Sequence, residues 1–335
     1  MKIILDAMGG DNAPDEIVKG AAQAVAENRD NLTLVLVGNE EIIRASAAKQ
    51  NIALDEHFEI VNTTQTIEMC DEPAKAIRAK KDSSMVVGLR MLAEGKGDAF
   101  VSAGSTGALH VGASLIVRTI KGVKRPALAT VIPGGKKPYL LMDCGANVEC
   151  RPEMLCQFAS MGSIYMNKLE GVKNPEVGLI NIGAEESKGG ELQKEAYKLL
   201  KKSDLNFIGN VEPRDLPKGV CDVAVADGWT GNIVLKLTEG LVSAFGKKLK
   251  GVMMSSLLTK LGALTMKGAL TDFKKSMDYT ERGGAPLLGI AKPVIKAHGS
   301  SDPKAFMNAI RQAKAFYEQA VIGTISAAVA AQKEE

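Results

Sequence analysis

The sequence predicts an α/β fold, a three-layer α/β/α sandwich on a mostly parallel sheet. Two observations carry that reading. Short runs rich in Val, Ile and Leu alternate with longer amphipathic segments, the pattern of strands buried on both faces by helices. Polar, glycine-rich sequence collects directly after the runs. Strands are expected at Lys2–Asp6, Leu32–Val37, Phe58–Val61, Asp98–Ser102, Ala127–Ile132, Tyr139–Asp143, Val177–Asn181, Asn206–Ile208 and Asp222–Ala226. Helices fit between most of them. Pro14 heads the first, Pro152 heads Glu153–Lys168, and Asp302-Pro303 heads the final one, since proline at the first helical position loses no hydrogen bond.

Composition describes ordinary globular protein. Of 335 residues, 45% are hydrophobic and 24% charged, without a low-complexity tract or repeat, and the chain reads as a single α/β catalytic unit over 1–335. A net charge of +3 and 4% aromatic residues give no basic footprint and few stacking platforms, so no nucleic acid is expected as partner. Met1–Asp6 enters a strand pattern and meets an aspartate before a signal-peptide core develops, and uncharged apolar runs stay short of a membrane span. A cytoplasmic protein is predicted. Cys144, Cys150 and Cys156 recur without a Cys-x-x-Cys pair or a nearby histidine, so buried reduced thiols are expected and no metal.

Five loops follow strands: Asp6–Asp11, Ser102–Gly107, Asp143–Asn147, Asn181–Gly189 and Asp227–Asn232. In an open parallel sheet such loops line one edge, where ligands bind. Ser102–Gly107 runs into a helix expected over Ala108–Thr119, so main-chain N–H groups with Ser105 and Thr106 suit an anion. The same design recurs at Thr230-Gly231-Asn232, ahead of a helix expected over Ile233–Phe245, although Thr230 also reads as a plain N-cap. Neither loop matches the P-loop pattern, and Met8-Gly9-Gly10-Asp11 replaces a dinucleotide fingerprint after the first strand. Lys188, in a loop with glycines at 189 and 190, can hold phosphate or an oxyanion; a solvated loop lysine is the plainer reading. His298 divides in the same way between an acid–base or anion contact and a turn histidine.

The phrases DAMGGD (Asp6–Asp11), SAGSTGA (Ser102–Ala108), DCGAN (Asp143–Asn147), NVEPR (Asn210–Arg214), DGWTGN (Asp227–Asn232), GGAPLLG (Gly283–Gly289) and AHGSS (Ala297–Ser301) resemble the bacterial phosphate acyltransferases, or acyl-ACP:phosphate transacylases. Seven motifs in order cover essentially the whole chain. The resemblance implies transfer of a long-chain acyl group from acyl carrier protein to inorganic phosphate, opening phospholipid synthesis without a cofactor. It further implies a homodimer, a fold similar to the phosphotransacetylase and isocitrate dehydrogenase group, and a downstream membrane glycerol-3-phosphate acyltransferase. The family's catalytic lysine and asparagine fall on Lys188 and Asn232. Its motifs, together with the Asn181–Gly189 loop, supply candidate substrate contacts at Asp6, Gly9, Gly10, Ser102, Ser105, Thr106, Asn147, Asn181, Glu185, Asn210, Glu212, Asp227, Thr230, Gly231, His298 and Ser300. Two positions depart from it: Trp229 stands where Phe is more frequent, and Gly190 where Asn is.

A last segment answers the need to accommodate an acyl chain. Gly240–Thr271 contains Lys247, Lys248, Lys250, Lys260 and Lys267, no Asp or Glu, and a Met- and Leu-rich remainder including Leu257, Leu258 and Leu261. Within 240–280 a protruding amphipathic segment is expected, suited to acyl carrier protein, to reversible membrane-surface attachment or to a dimer contact. Two other functions remain open, a short-chain phosphotransacetylase using coenzyme A and a non-catalytic acyl carrier or membrane scaffold.

Overall fold

The computed structural model describes residues 1–27, 31–276 and 283–331. Its strands are β1 (Lys2–Asp6), β2 (Thr33–Gly38), β3 (Phe58–Asn62), β4 (Ala99–Ser102), β5 (Ala127–Ile132), β6 (Tyr139–Met142), β7 (Val177–Ile180), β8 (Phe207–Val211), β9 (Val223–Val225), β10 (Ala285–Leu288) and β11 (Val294–Lys296). They form one sheet in the order β3-β2-β1-β4-β11-β10-β5-β6-β9-β7-β8. Nine strands lie where the apolar runs predict them. The last two were not anticipated, and they change the architecture.

Seven of the ten neighbour pairings are parallel, while β11–β10, β10–β5 and β5–β6 are antiparallel. Three reversals in succession make β6, β9, β7 and β8 run opposite to β1, β2, β3, β4 and β11. The expectation that all five glycine-rich loops line one edge is therefore overturned. Asp6–Asp11 and Ser102–Gly107 leave one end of the sheet; Asp143–Asn147, Asn181–Gly189 and Asp227–Asn232 leave the other.

Alternation along the strands sorts the core into layers. Ile3 and Leu5 of β1 pack with α1 (Asp15–Glu27) and α11 (Pro303–Glu318), whereas Ile4 packs with α4 (Ser84–Ala93). In the other half, Leu140 and Met142 join α6 (Pro152–Glu170), α7 (Glu191–Lys202) and α12 (Val321–Ala331). The helix headed by Asp302-Pro303 is thus followed by one more. α2 (Glu40–Lys49), α3 (Pro73–Ala79), α5 (Thr106–Gly112), α8 (Gly228–Met253), α9 (Leu257–Thr265) and α10 (Lys267–Ser276) complete the set. No described helix is long and apolar enough to cross a membrane.

In each half a buried carboxylate gathers the backbone where a strand ends. Asp6 accepts from Ser84 Oγ and Ser102 Oγ, both at 2.6 Å, and from the Met8 N–H at 3.4 Å. Asp143 accepts at Oδ1 from the N–H groups of Leu128 and Ala146, both at 3.0 Å, and at Oδ2 from Asn147 N and Nδ2, both at 2.8 Å. Burial pushes both carboxyls above the usual carboxylate range, and the donors pull them back. Replacing Asp143 by Asn would turn an NH₂ group toward one pair of donors. An Asp143→Asn variant is expected to lose about 2–4 kcal/mol of stability, read as a lower urea midpoint; an unchanged midpoint would deny the hub its role.

Candidate active site

A cavity of about 310 Å³ opens over the central strands β5, β10 and β11, where the two halves of the sheet meet. Thr106, Lys296 and His298 reach it from one half, and Cys144, Gly145, Asn232, Lys236 and Glu239 from the other. Leu128, Val131, Leu235, Ala285 and Ala305 supply apolar wall. Loops of both halves thus contribute to one cavity although the halves run in opposite directions.

Helix α8 begins earlier than expected, at Gly228 rather than Ile233, and continues to Met253. Asp227 is its N-cap, accepting from Thr230 N at 2.8 Å and from Thr230 Oγ1 at 2.9 Å. This places Thr230-Gly231-Asn232 in the first turn of the helix rather than ahead of it. The Asp227 side chain caps that helix end and engages both donors of Thr230. Asn232 is left to face the cavity, its Cγ 3.3 Å from where a Cβ on Gly145 would stand. Gly231 makes the approach feasible, because a Cβ there would lie 1.8 Å from the Asp143 carbonyl oxygen.

On the other side, Ser105 caps α5 by accepting from Ala108 N at 3.4 Å. The helix starts at Thr106, two residues before the expected Ala108, and passes through a π turn at Ala113–Val117, ending short of Thr119 where Arg118 adopts φ +74°. Ser102 is buried on Asp6 and also accepts from Gly104 N at 3.0 Å. Gly9 packs so closely that a Cβ would sit 2.4 Å from Asp6 Oδ2 and 2.8 Å from Gly104 N. Gly10 abuts Ala103, and Asp11 N donates to Gly299 O at 2.8 Å. Asp6, Gly9, Gly10, Ser102 and Ser105 therefore build the wall from beneath, and Thr106 faces the cavity. His298 Nδ1 accepts from Ser300 N at 3.3 Å and stands 2.9 Å from Ser300 Oγ, which fixes the imidazole.

Lys188, Glu185, Asn210 and Glu212 lie outside the cavity lining. Their loop is nevertheless well anchored. Buried Asn181 donates to Lys188 O at 3.1 Å and accepts from Ile182 N at 2.8 Å, while Asn210 Nδ2 donates to Glu185 O at 2.8 Å. Gly190 N donates to Gln193 Oε1 at 3.1 Å at the start of α7, and Glu212 pairs with Arg214 at 3.0 Å. The Lys188 side chain is exposed, its stem folding over Gly183, and β7 beneath it neighbours β9, which leads into α8. Asn147, on the same sheet end, is buried, with Nδ2 donating to Pro126 O and to Asp143 Oδ2, both at 2.8 Å.

Sequence reasoning missed Lys296. The residue ends β11, is buried, and donates to the carbonyls of Ala103, at 3.2 Å, and Ala297. Burial pushes its ammonium down to about 8, the Asp6 and Asp11 carboxylates raising it and Lys236 lowering it. Lys236, also missed, is exposed and pairs with Glu239 at 2.9 Å. Of the cysteines, Cys144 and Cys221 are buried, Cys150 and Cys156 half-buried, and Cys70 exposed. Among the described residues no three His, Cys, Asp or Glu gather as a metal set.

The fold is an α/β architecture shared with phosphotransacylases. A phosphotransacetylase from Streptococcus pyogenes has the same fold, with a TM-score of 0.64 at 18% identity over 96% of this chain and 94% of that one. A branched-chain phosphotransacylase from Enterococcus faecalis gives 0.52 at 16% identity over 93% and 98%. The family described as fatty acid synthesis protein matches residues 1–324, and this chain belongs to it, as one of its acyl-transferring enzymes. It is similar to the phosphate acyltransferase of Clostridium botulinum (strain Loch Maree / Type A3), 50% identical over 97% of this chain and 96% of that one. The phosphate acyltransferase of Caldicellulosiruptor bescii is 50% identical over the full length of both.

Because Gly231 seats Asn232 against Gly145, a methyl group there must displace the first turn of α8. Gly231→Ala is expected to slow acyl transfer to phosphate by roughly a hundred-fold while far-UV circular dichroism stays unchanged. Turnover at the wild-type rate would show that this close approach does not position the site.

Proposed function

We propose that this enzyme transfers a long-chain acyl group from acyl carrier protein to inorganic phosphate, supplying acyl phosphate for glycerolipid synthesis. One observation supports this reading most directly. Helix α8 starts at the cavity, where Asn232, Leu235, Lys236 and Glu239 line it, and extends outward into an exposed apolar surface. A phosphate site and an acyl path would then share one helix. Each buried CH₂ contributes about 0.8 kcal/mol, so a long chain needs such a path and an acetyl group does not.

Hydrogen phosphate is nucleophilic near neutral pH, so placement is the main demand. One of its oxygens attacks the thioester carbonyl carbon, the C–S bond breaks, and the proton of the hydrogen phosphate passes to the departing phosphopantetheine sulfur. Lys188 holds the phosphate from the neighbouring loop, and Asn232 donates its amide N–H to the oxyanion of the tetrahedral intermediate. Within one catalytic unit over 1–335, the 240–280 segment carries the contacts with acyl carrier protein and the membrane surface. Lys247, Lys248, Lys250 and Lys260 offer positive charge, and Leu257, Leu258 and Leu261 are exposed on α9, none of whose side chains is buried. Residues 277–280 of that segment lie outside the described residues. A cytoplasmic homodimer at the membrane surface, handing its product to a membrane glycerol-3-phosphate acyltransferase, completes the proposal.

Incubation with phosphate and long-chain acyl-ACP should yield acyl phosphate, and acetyl-CoA should not replace the donor. Efficient acetyl transfer would favour the short-chain reading that the phosphotransacetylase fold admits; binding of acyl-ACP without turnover would make the protein a scaffold. Asn232→Ala and Lys188→Ala are each expected to lower kcat about 10²–10³-fold. A folded Lys188→Ala enzyme with near-normal turnover would remove the lysine from the mechanism.

The surface assignment has its own test. Wild type should float with anionic liposomes, and a variant with Leu257, Leu258 and Leu261 changed to Ser should remain below them. Equal flotation would place the membrane contact elsewhere or abolish it.

A further inference from the structure

Lys296 presents an uncommon arrangement for a lysine. It is only 7% exposed, yet it lines the cavity, and its ammonium is held between the main-chain carbonyls of Ala103 and Ala297. Carbonyl dipoles orient the group without neutralising it. Among the described residues no carboxylate lies within ion-pair distance. An ammonium has three donors, and two are engaged by these carbonyls. A buried charge without a bonded counter-ion costs several kcal/mol, which an anion in the cavity would offset. The other cation lining it, Lys236, is exposed and already paired with Glu239.

We propose that Lys296 is a phosphate-binding residue of the cavity, its remaining N–H directed to the attacking dianion from the half of the sheet opposite Asn232. The assignment rests on the phosphate-transfer reading above. It makes the reaction site a product of both sheet halves, with Lys296 on β11 reaching the phosphate and Asn232 on α8 the thioester oxygen from two sides. The strap to Ala103 also couples Lys296 to the Ser102–Gly107 loop, so the ammonium and Thr106 keep a fixed relation.

A pH signature follows from the site's charges. Asp6 and Asp11 after β1 favour the ammonium, Lys236 on α8 opposes it, and Glu239 and His298 share the cavity. With burial holding Lys296 at about 8, the cation is present at neutral pH and is lost as pH rises through that value. Phosphate affinity should fall with it. Inorganic phosphate is mostly the dianion just above neutral pH and more fully so as pH rises, so its own titration does not weaken binding.

The experiment measures saturation by phosphate and by acyl-ACP separately, in wild type and Lys296→Met, between about pH 7.5 and 9.5. For wild type, the phosphate KM should rise about ten-fold across the range. Near pH 7.5, the methionine variant should show a phosphate KM at least about ten-fold higher than wild type and no further rise, with its acyl-ACP KM within about two-fold. Inorganic phosphate should also raise the wild-type Tm near pH 7.5, but neither the wild-type Tm near pH 9.5 nor that of the variant. A folded Lys296→Met enzyme with wild-type phosphate KM overturns the assignment, as does equal loss of both KM values, which would mark a purely structural strap. Should the variant fail to fold, a flat wild-type phosphate KM across the range overturns it on its own. If wild type makes no acyl phosphate but phosphate still raises its Tm through Lys296, the anion site stands and the reaction assigned above falls.

Discussion

The site depends on keeping a buried carboxylate, Asp143, surrounded by donors. No cation pairs with it among the described residues, so four hydrogen bonds from Leu128, Ala146 and Asn147 must satisfy its two oxygens. Those bonds dictate the course of residues 143–147 and tie it to the start of β5. The Asp143 carbonyl then faces the first turn of α8, where only glycine at 231 fits, and Asn232 is presented to the cavity as a result. Asp6 performs the corresponding task in the other half, gathering Ser84 and Ser102 beneath the loop that carries Thr106.

Each half contributes a set of parallel strands with loops at its own C-terminal ends, but the halves run in opposite directions. Short strands at the seam narrow the distance between loops from opposite sheet ends. At three and four residues, β11 and β10 are such strands. The cavity belongs to the seam between the halves rather than to one crest of the sheet.

Much of this was legible in the sequence, and the failures have physical causes. Apolar runs such as Ile3–Leu5 and Leu140–Met142 announce strands buried on both faces, because little besides a central strand removes such a run from water. β10 carries Pro286 within only four residues, and β11 ends in lysine, so neither gives a periodic signal and the reversal they create went unseen. Gly228-Trp-Thr-Gly231 reads as loop because glycine is a poor helix former; the Asp227–Thr230 spacing of an N-cap was the available clue. Lys296 resembled every other lysine. Its distinction is tertiary, since β4 and β11 must pair before the Ala103 carbonyl can reach its ammonium.

The cavity lining also bears on whether an acyl group should pass through the protein covalently. Cys144 is the strongest intrinsic nucleophile among the lining residues, but reactivity belongs to the thiolate. Burial and the neighbouring Asp143 push this thiol far above the usual range, and its Sγ donates to the Leu141 carbonyl at 3.2 Å. It stays protonated. His298 is the histidine at the cavity, where burial holds it below its ordinary range and Ser300 contacts its Nδ1. Nothing in this lining makes a thiolate at Cys144, whereas phosphate arrives already charged and nucleophilic. Direct attack by a dianion that Lys296 draws into the seam therefore asks less of these residues than an acyl-enzyme would.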